Sequence, residues 1–204
     1  RHTWLAQRNV ARSYRDEVLA KLEVVDTGLA VEQYGALSFD PDRYPLFAVR
    51  TANPLEDAPW ALITGGVHGY ETSGVQGALA FATQHASAYT PRCNFVIAPC
   101  ISPWGYEVVH RWNPIAVDPN RSFVSGSQSE EAAALMAYVA ELGVDFLVHM
   151  DLHETTDSDE SEFRPALAAR DGKRHQPGSI PDGFYAVGDS DNPQPAFQAA
   201  IIEA

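Results

Sequence analysis

The run Trp60-Ala61-Leu62-Ile63-Thr64 stops at Gly65-Gly66, and from Thr72 to Ser87 the chain has the small, apolar composition of a packed helix. So short an apolar run suits a strand inside a sheet, and the two glycines allow a sharp turn without a Cβ penalty. Strand, glycine bend and helix in that order make the unit from which helix-covered sheets are assembled. Phe95 to Ala98 reads as a second core strand and Asp145 to Leu152 as a third. Between them lies a helix from Ser127 to Leu142, opened by Ser127 or Ser129 with two glutamates and closed by Gly143. Upstream, Ser13 to Leu22 places Tyr14, Val18, Leu19 and Leu22 at helical spacing. Val24 to Tyr34, broken by Gly28, and Tyr44 to Thr51 read as early strands, and Pro45 argues for a place at the sheet edge. The fold class is therefore α/β, a sheet with helices on its faces.

Beyond Leu152 the composition changes. Thr155 to Pro195 is rich in Asp, Ser, Gly and Pro, with little periodicity, and is expected to form loops around a site rather than a second domain. A further helix begins at Pro195. The 204 residues are 45% hydrophobic, enough for a packed core. The balance of 14 Lys+Arg against 27 Asp+Glu gives a net charge of −13, which excludes nucleic acid and anionic membranes as expected partners. Two cysteines, Cys93 and Cys100, make no disulfide framework, and with no visible signal segment the expected compartment is cytoplasmic. The chain starts at Arg1 and stops at Ile201-Ile202-Glu203-Ala204, which reads as mid-helix, so the expectation is that C-terminal residues are missing.

Three local signals carry chemistry. The first is Gly65-Gly66-Val67-His68-Gly69-Tyr70-Glu71, where a core strand gives way to a helix, the place at which open α/β sheets bind ligands. His68 and Glu71, three apart, can aim an imidazole and a carboxylate at one point, as a zinc site requires. Chance supplies roughly 0.4 such pairs in a chain of this composition, so an ordinary turn remains the alternative.

The second signal is the strand ending Val148-His149-Met150-Asp151-Leu152-His153-Glu154. Alternation places His149, Asp151 and His153 on one face. Burying them unpaired is costly, so they face a cleft, a metal or each other. His153, nearest the carboxyl end, is the candidate third ligand; two histidines, a glutamate and an open fourth position are a catalytic zinc set. For His149 alone, a hydrogen-bonded core role is the simpler reading. The third signal, Arg111 to Phe123, gathers two arginines and two asparagines in an acidic protein. A guanidinium fork beside an amide suits a terminal carboxylate, although a solvated loop would look the same.

Together and in this order, these stretches resemble the zinc carboxypeptidases of the carboxypeptidase A type and their deacylase relatives, succinylglutamate desuccinylase and aspartoacylase, from about Trp60 to Asp157. The resemblance implies a mixed, mostly parallel central sheet with helices on both faces. Residues 58–204 would be the catalytic domain, short at its C-terminus, and residues 1–57 a small N-terminal subdomain. It implies one zinc ion held by His68, Glu71 and His153, with Asn120 and Arg121 on the substrate carboxylate. Arg111 would polarise the scissile carbonyl and stabilise the oxyanion, while Asp118 and Asp151 would support the ligand histidines. Pro103-Trp104-Gly105-Tyr106-Glu107, preceded by Ser102, is similar to the family's Asn-Pro-Asp-Gly-Tyr segment, with Ser102 and Trp104 in place of Asn and Asp.

The general base of that family is a glutamate well downstream of the third ligand, so it is expected beyond residue 204. Glu154, Glu160 and Glu162 are acidic and near His153, but none stands in a matching context. The activity implied is metal-assisted hydrolysis of a C-terminal peptide bond. The alternatives are an N-acyl-amino-acid deacylase using the same zinc and clamp, and a zinc-binding domain without catalysis. In every enzymatic case the partner is a peptide or N-acyl amino acid with a free carboxylate. His2, His85, His110 and His175 are expected at the surface or in loops, Trp104 and Trp112 in the core, and the acidic run from Asp157 to Glu162 in a solvated loop.

Overall fold

The computed structural model describes residues 9–157, 159–180 and 182–204, and His2 lies outside them. The chain divides into two compact units, one ending at Glu154 and the other beginning at Thr155.

The first unit is built on five strands, β1 Leu29–Ala36, β2 Pro45–Thr51, β3 Trp60–Gly65, β4 Asn94–Ala98 and β5 Phe146–Leu152, in the order β1-β2-β4-β3-β5. β3 is parallel to β4 and β5, and β2 is antiparallel to both of its neighbours. Four strands thus run one way against β2 alone, giving the mixed, mostly parallel sheet. Helices cover both faces. On one, Val49, Ala61, Ile63, Phe95 and Ile97 join Val18 and Leu22 of the first helical segment and Val75, Ala78 and Leu79 of the helix Thr72–Ala80. On the other, Ala48, Leu62 and Val96 pack against Tyr138, Val139 and Leu142 of the helix Glu130–Leu142.

Two local readings need revision. Pro45 lies on β2, which has a neighbour on each side rather than a free edge. It is tolerated because β4 registers only with Val49 and Arg50, leaving the Pro45 end of β2 paired with β1 alone. β5, read as a core strand, is an edge strand among the described residues, and Leu147 on it is 76% exposed. Elsewhere the end signals hold. Ser129, not Ser127, caps the helix Glu130–Leu142, its Oγ accepting from the amide of Ala132 at 3.3 Å, and Gly143 ends that helix at φ 61°.

The second unit contains a helical turn, Asp159–Phe163, that runs into the helix Arg164–Arg170, and a last helix, Pro195–Glu203. The acidic run and the residues after it were expected to be loop. The strong helix formers Ala166, Leu167, Ala168 and Ala169 outweigh the polar composition around them. The Glu160 carboxylate accepts from Arg164 at 2.7 Å and from the amide of Gly178 at 2.9 Å, and lies 3.1 Å from His175. Among the described residues no helix is long and apolar enough to cross a membrane.

Candidate metal centre

β3 ends at Gly65, and the chain turns through Gly66 at φ 62° before the helix Thr72–Ala80. His68 and Glu71 occupy this turn, which the Glu71 amide closes by donating to the His68 carbonyl at 3.2 Å. The turn is pressed into place where side chains are missing. A Cβ on Gly69 would stand 1.8 Å from the carbonyl carbon of Gly105, and one on Gly74 would stand 2.1 Å from the carbonyl oxygen of Leu152. The latter contact seats the helix against the end of β5, beyond which His153 follows directly. Glu71 is the residue preceding the helix, yet its carboxylate does not cap it. Glu154 Oε2 accepts from the Ser73 amide at 2.8 Å instead, which leaves Glu71 for the histidines.

His68 Nδ1 lies 2.6 Å from Glu71 Oε1, and His153 Nδ1 lies 2.9 Å from Glu71 Oε2. The two ring centroids are 5.2 Å apart. Each outer nitrogen is backed by a carboxylate: His68 Nε2 by Asp118 Oδ1 at 3.2 Å, and His153 Nε2 by Asp151 Oδ2 at 2.6 Å. Histidines that ligate metals are held in this way, because a carboxylate on one nitrogen fixes the ring and leaves the other for the metal. Donor atoms of His68, Glu71 and His153 lie within 4.8 Å of one another, so the set fits a zinc ion with a position left for solvent or substrate.

Burial opposes charge throughout the cluster and is outweighed by pairing. His153 and His68 hold the Glu71 carboxyl below the usual carboxylate range, and His68 with Arg111 do the same for Asp118. For His153 the loss of solvent is overcome by hydrogen bonds to Asp151 and then Glu71, which push its pKa up to about 10.

The segment expected to meet substrate stands beside this cluster. Arg111, buried, donates from Nε to Asp118 Oδ2 at 3.2 Å and from Nη1 to the Tyr70 hydroxyl at 2.9 Å. The Tyr70 ring lies nearly parallel to His68, at an interplanar angle of 4°. His68, Asp118, Arg111 and Tyr70 thus form a closed ring of contacts. Asp118 also accepts from the amide of Asn120 at 3.0 Å, opening the turn Pro119–Arg121. The side chains of Asn120 and Arg121 make no hydrogen bond among the described residues, and Arg121 is exposed.

Other histidines fall elsewhere. His85 is exposed on a helical turn, and His175 lies against Glu160. His110, expected at the surface or in a loop, lies in a loop but is buried, with the rings of Trp104 and Trp112 at centroid distances of 6.4 and 5.3 Å. Trp104 is in the core. Sequence reasoning missed Thr64, Tyr70 and the capping role of Glu154. Thr64 alone left a signal, as the one polar residue closing an apolar run.

Residues 57–177 match the succinylglutamate desuccinylase/aspartoacylase catalytic domain. Among solved structures, a candidate metallopeptidase from Shewanella amazonensis SB2B is similar at 25% identity and TM-score 0.55, over 68% of this chain and 57% of that one. A metallo-carboxypeptidase from Burkholderia cenocepacia is similar at 17% identity and TM-score 0.56, over 70% of this chain and 40% of that one. Bovine thrombin-activatable fibrinolysis inhibitor shares the fold at 16% identity and TM-score 0.52, over 82% of this chain and 71% of that one. The chain therefore spans about half of the length of the first two. No curated protein is significantly similar. With the matched segment covering more than half of its residues and enclosing His68, Glu71, Arg111, Asp118 and His153, the chain belongs to the succinylglutamate desuccinylase/aspartoacylase catalytic-domain family.

Proposed function

We propose that this protein is a zinc-dependent hydrolase that cleaves the amide bond joining an acyl or peptidyl group to an amino acid with a free carboxylate. The observation that carries the reading is the convergence of His68 Nδ1, His153 Nδ1 and the Glu71 carboxylate, with Asp118 and Asp151 behind the two rings. His68, Glu71 and His153 would hold the ion, which when bound supplies Lewis acidity for water activation and carbonyl polarisation.

The residues around it divide the remaining work. Asn120 and Arg121, whose side chains make no hydrogen bond among the described residues, bind the substrate carboxylate and so fix the scissile amide relative to the metal. Asp118 keeps the proton of His68 on Nε2. Arg111, next to both Asp118 and Tyr70, stabilises negative charge developing on the carbonyl oxygen, a contribution of about 3–4 kcal/mol where such donors have been removed.

The leading substrate is a peptide C-terminus, in line with the carboxypeptidase among the structural neighbours. The family match favours a second reading, an N-acyl amino acid. Parallel assays of the full-length protein on blocked dipeptides and on N-succinyl and N-acetyl amino acids separate the two. Turnover of neither, with zinc bound, would overturn the proposal in favour of a non-catalytic zinc domain.

A further inference from the structure

Thr64 is the last polar residue of β3 before the glycine turn, 1% exposed, and in register with Asp151 of the parallel strand β5. Its Oγ1 lies 2.7 Å from Asp151 Oδ1 and 2.8 Å from His149 Nε2. The other Asp151 oxygen, Oδ2, lies 2.6 Å from His153 Nε2. One side chain from β3, two from β5 and that of His153 just beyond it therefore form a continuous chain, His149 to Thr64 to Asp151 to His153.

The direction of that chain follows from proton counting. Both Asp151 oxygens face donor groups, Thr64 Oγ1 at 2.7 Å and His153 Nε2 at 2.6 Å, the arrangement of an acceptor carboxylate. An ionised carboxylate only accepts. Thr64 has one hydroxyl proton, so it donates to Asp151 Oδ1, and its oxygen must then accept from His149. His149 accordingly carries a proton on Nε2. At the far end Asp151 Oδ2 accepts Nε2–H of His153, which turns Nδ1 toward Glu71 Oε2, 2.9 Å away.

We propose that Thr64 is a positioning residue for His153: with its hydroxyl oriented by His149, it clamps Asp151 so that the Asp151 carboxylate fixes the ring and tautomer of His153. The inference rests on the metal-site reading above. It gives His149 a purpose that ligation does not: it sets the hydrogen-bond direction of the clamp.

The test is zinc affinity of the full-length protein by competition with a chromophoric chelator, together with nitrogen-15 NMR of the imidazoles. Thr64→Val keeps the shape and removes the hydroxyl, and the expected result is zinc binding weaker by about 10–100-fold, the usual cost of losing a partner behind a metal ligand. Thr64→Ser restores the hydroxyl and is expected to rescue the affinity. Wild-type affinity in a folded Thr64→Val variant, or failure of Thr64→Ser to rescue, overturns the clamp while leaving the metal site standing. Should Thr64→Val not fold, the wild-type spectrum decides: His149 protonated on Nε2 supports the clamp, and His149 protonated on Nδ1 alone overturns it. A wild-type protein that takes up no zinc overturns the metal-site reading itself.

Discussion

His68 and His153 approach from different elements, a turn after β3 and the end of β5, and their Nδ1 atoms meet opposite oxygens of the Glu71 carboxylate at 2.6 and 2.9 Å. One carboxylate thus bridges the two rings and holds the three sets of donor atoms within 4.8 Å of one another. Preorganisation of this kind lowers the cost of ordering the site on binding.

Replacing either ring should therefore remove binding rather than weaken it. His68→Ala and His153→Ala are each expected to abolish stoichiometric zinc uptake, read by metal analysis after gel filtration. Chelation of the wild-type protein should abolish hydrolysis, and added zinc should restore it. Activity that survives both chelation and His68→Ala would sink the proposed mechanism.

Asp118 holds His68 Nε2 and also accepts from Arg111. Asp118→Asn keeps the size but loses the charge and is free to present its amide NH2 to the ring. The expected cost is about 10–100-fold in zinc affinity. An unchanged affinity would show that the turn alone orients His68.

Arg121 is exposed, and its side chain makes no hydrogen bond among the described residues, so its guanidinium is available to a substrate carboxylate. Charge-assisted hydrogen bonds contribute about 1.5–3 kcal/mol, so Arg121→Met should raise KM by roughly 10–150-fold. Arg121→Lys keeps the charge without the fork and should recover only part of the loss. If KM stays fixed while kcat falls, Arg121 is not the carboxylate anchor.

Gly69 stands where a Cβ would come within 1.8 Å of the Gly105 carbonyl carbon and 2.2 Å of the Tyr106 amide nitrogen. Backbone cannot retreat as a flexible side chain can. Gly69→Ala should therefore destabilise beyond the ~3 kcal/mol that bounds ordinary substitutions, measured by thermal or denaturant unfolding. Gly126→Ala, at a position with open space but φ 73°, should cost far less.

Glu131 is buried, and its Oε1 has no hydrogen-bond partner among the described residues, while Oε2 accepts from Ser129 at 2.6 Å and Asn113 at 3.2 Å. Burial raises its pKa above the ordinary carboxylate value, opposed in part by those bonds. Folding thus takes up a proton: this contribution to stability is complete below the unfolded-state value and declines as pH rises through the folded-state one. Glu131→Gln cannot ionise, so its stability should vary less with pH across that window than the wild type's. Parallel pH profiles of the two proteins would refute the assignment.

Much of the framework is legible in the chain itself. The apolar runs at Trp60–Thr64 and Phe95–Ala98, the Ser129 and Gly143 helix signals and the alternation along Phe146–Leu152 are local, because burial, capping and side-chain periodicity act within a few residues. Loop composition misled for the stretch after Thr155, where a short helix forms from alanine-rich sequence between polar neighbours. The burial of His110 in its loop was not legible either, because enclosure by two tryptophan rings depends on how a loop folds back.

The sequence by itself determined which residues could hold a metal and bind a carboxylate: the residue types and order of His68, Glu71, Asn120, Arg121, Asp151 and His153 are written there. Only the tertiary structure decided which atoms meet. The parallel register of β3 with β5 puts Thr64 beside Asp151, and the contact of Gly74 with Leu152 brings the helix after Glu71 to the end of the strand that His153 directly follows. Hydrogen bonds act over about 3 Å, whereas the residues that make them are dozens of positions apart in the chain, so no local pattern encodes them.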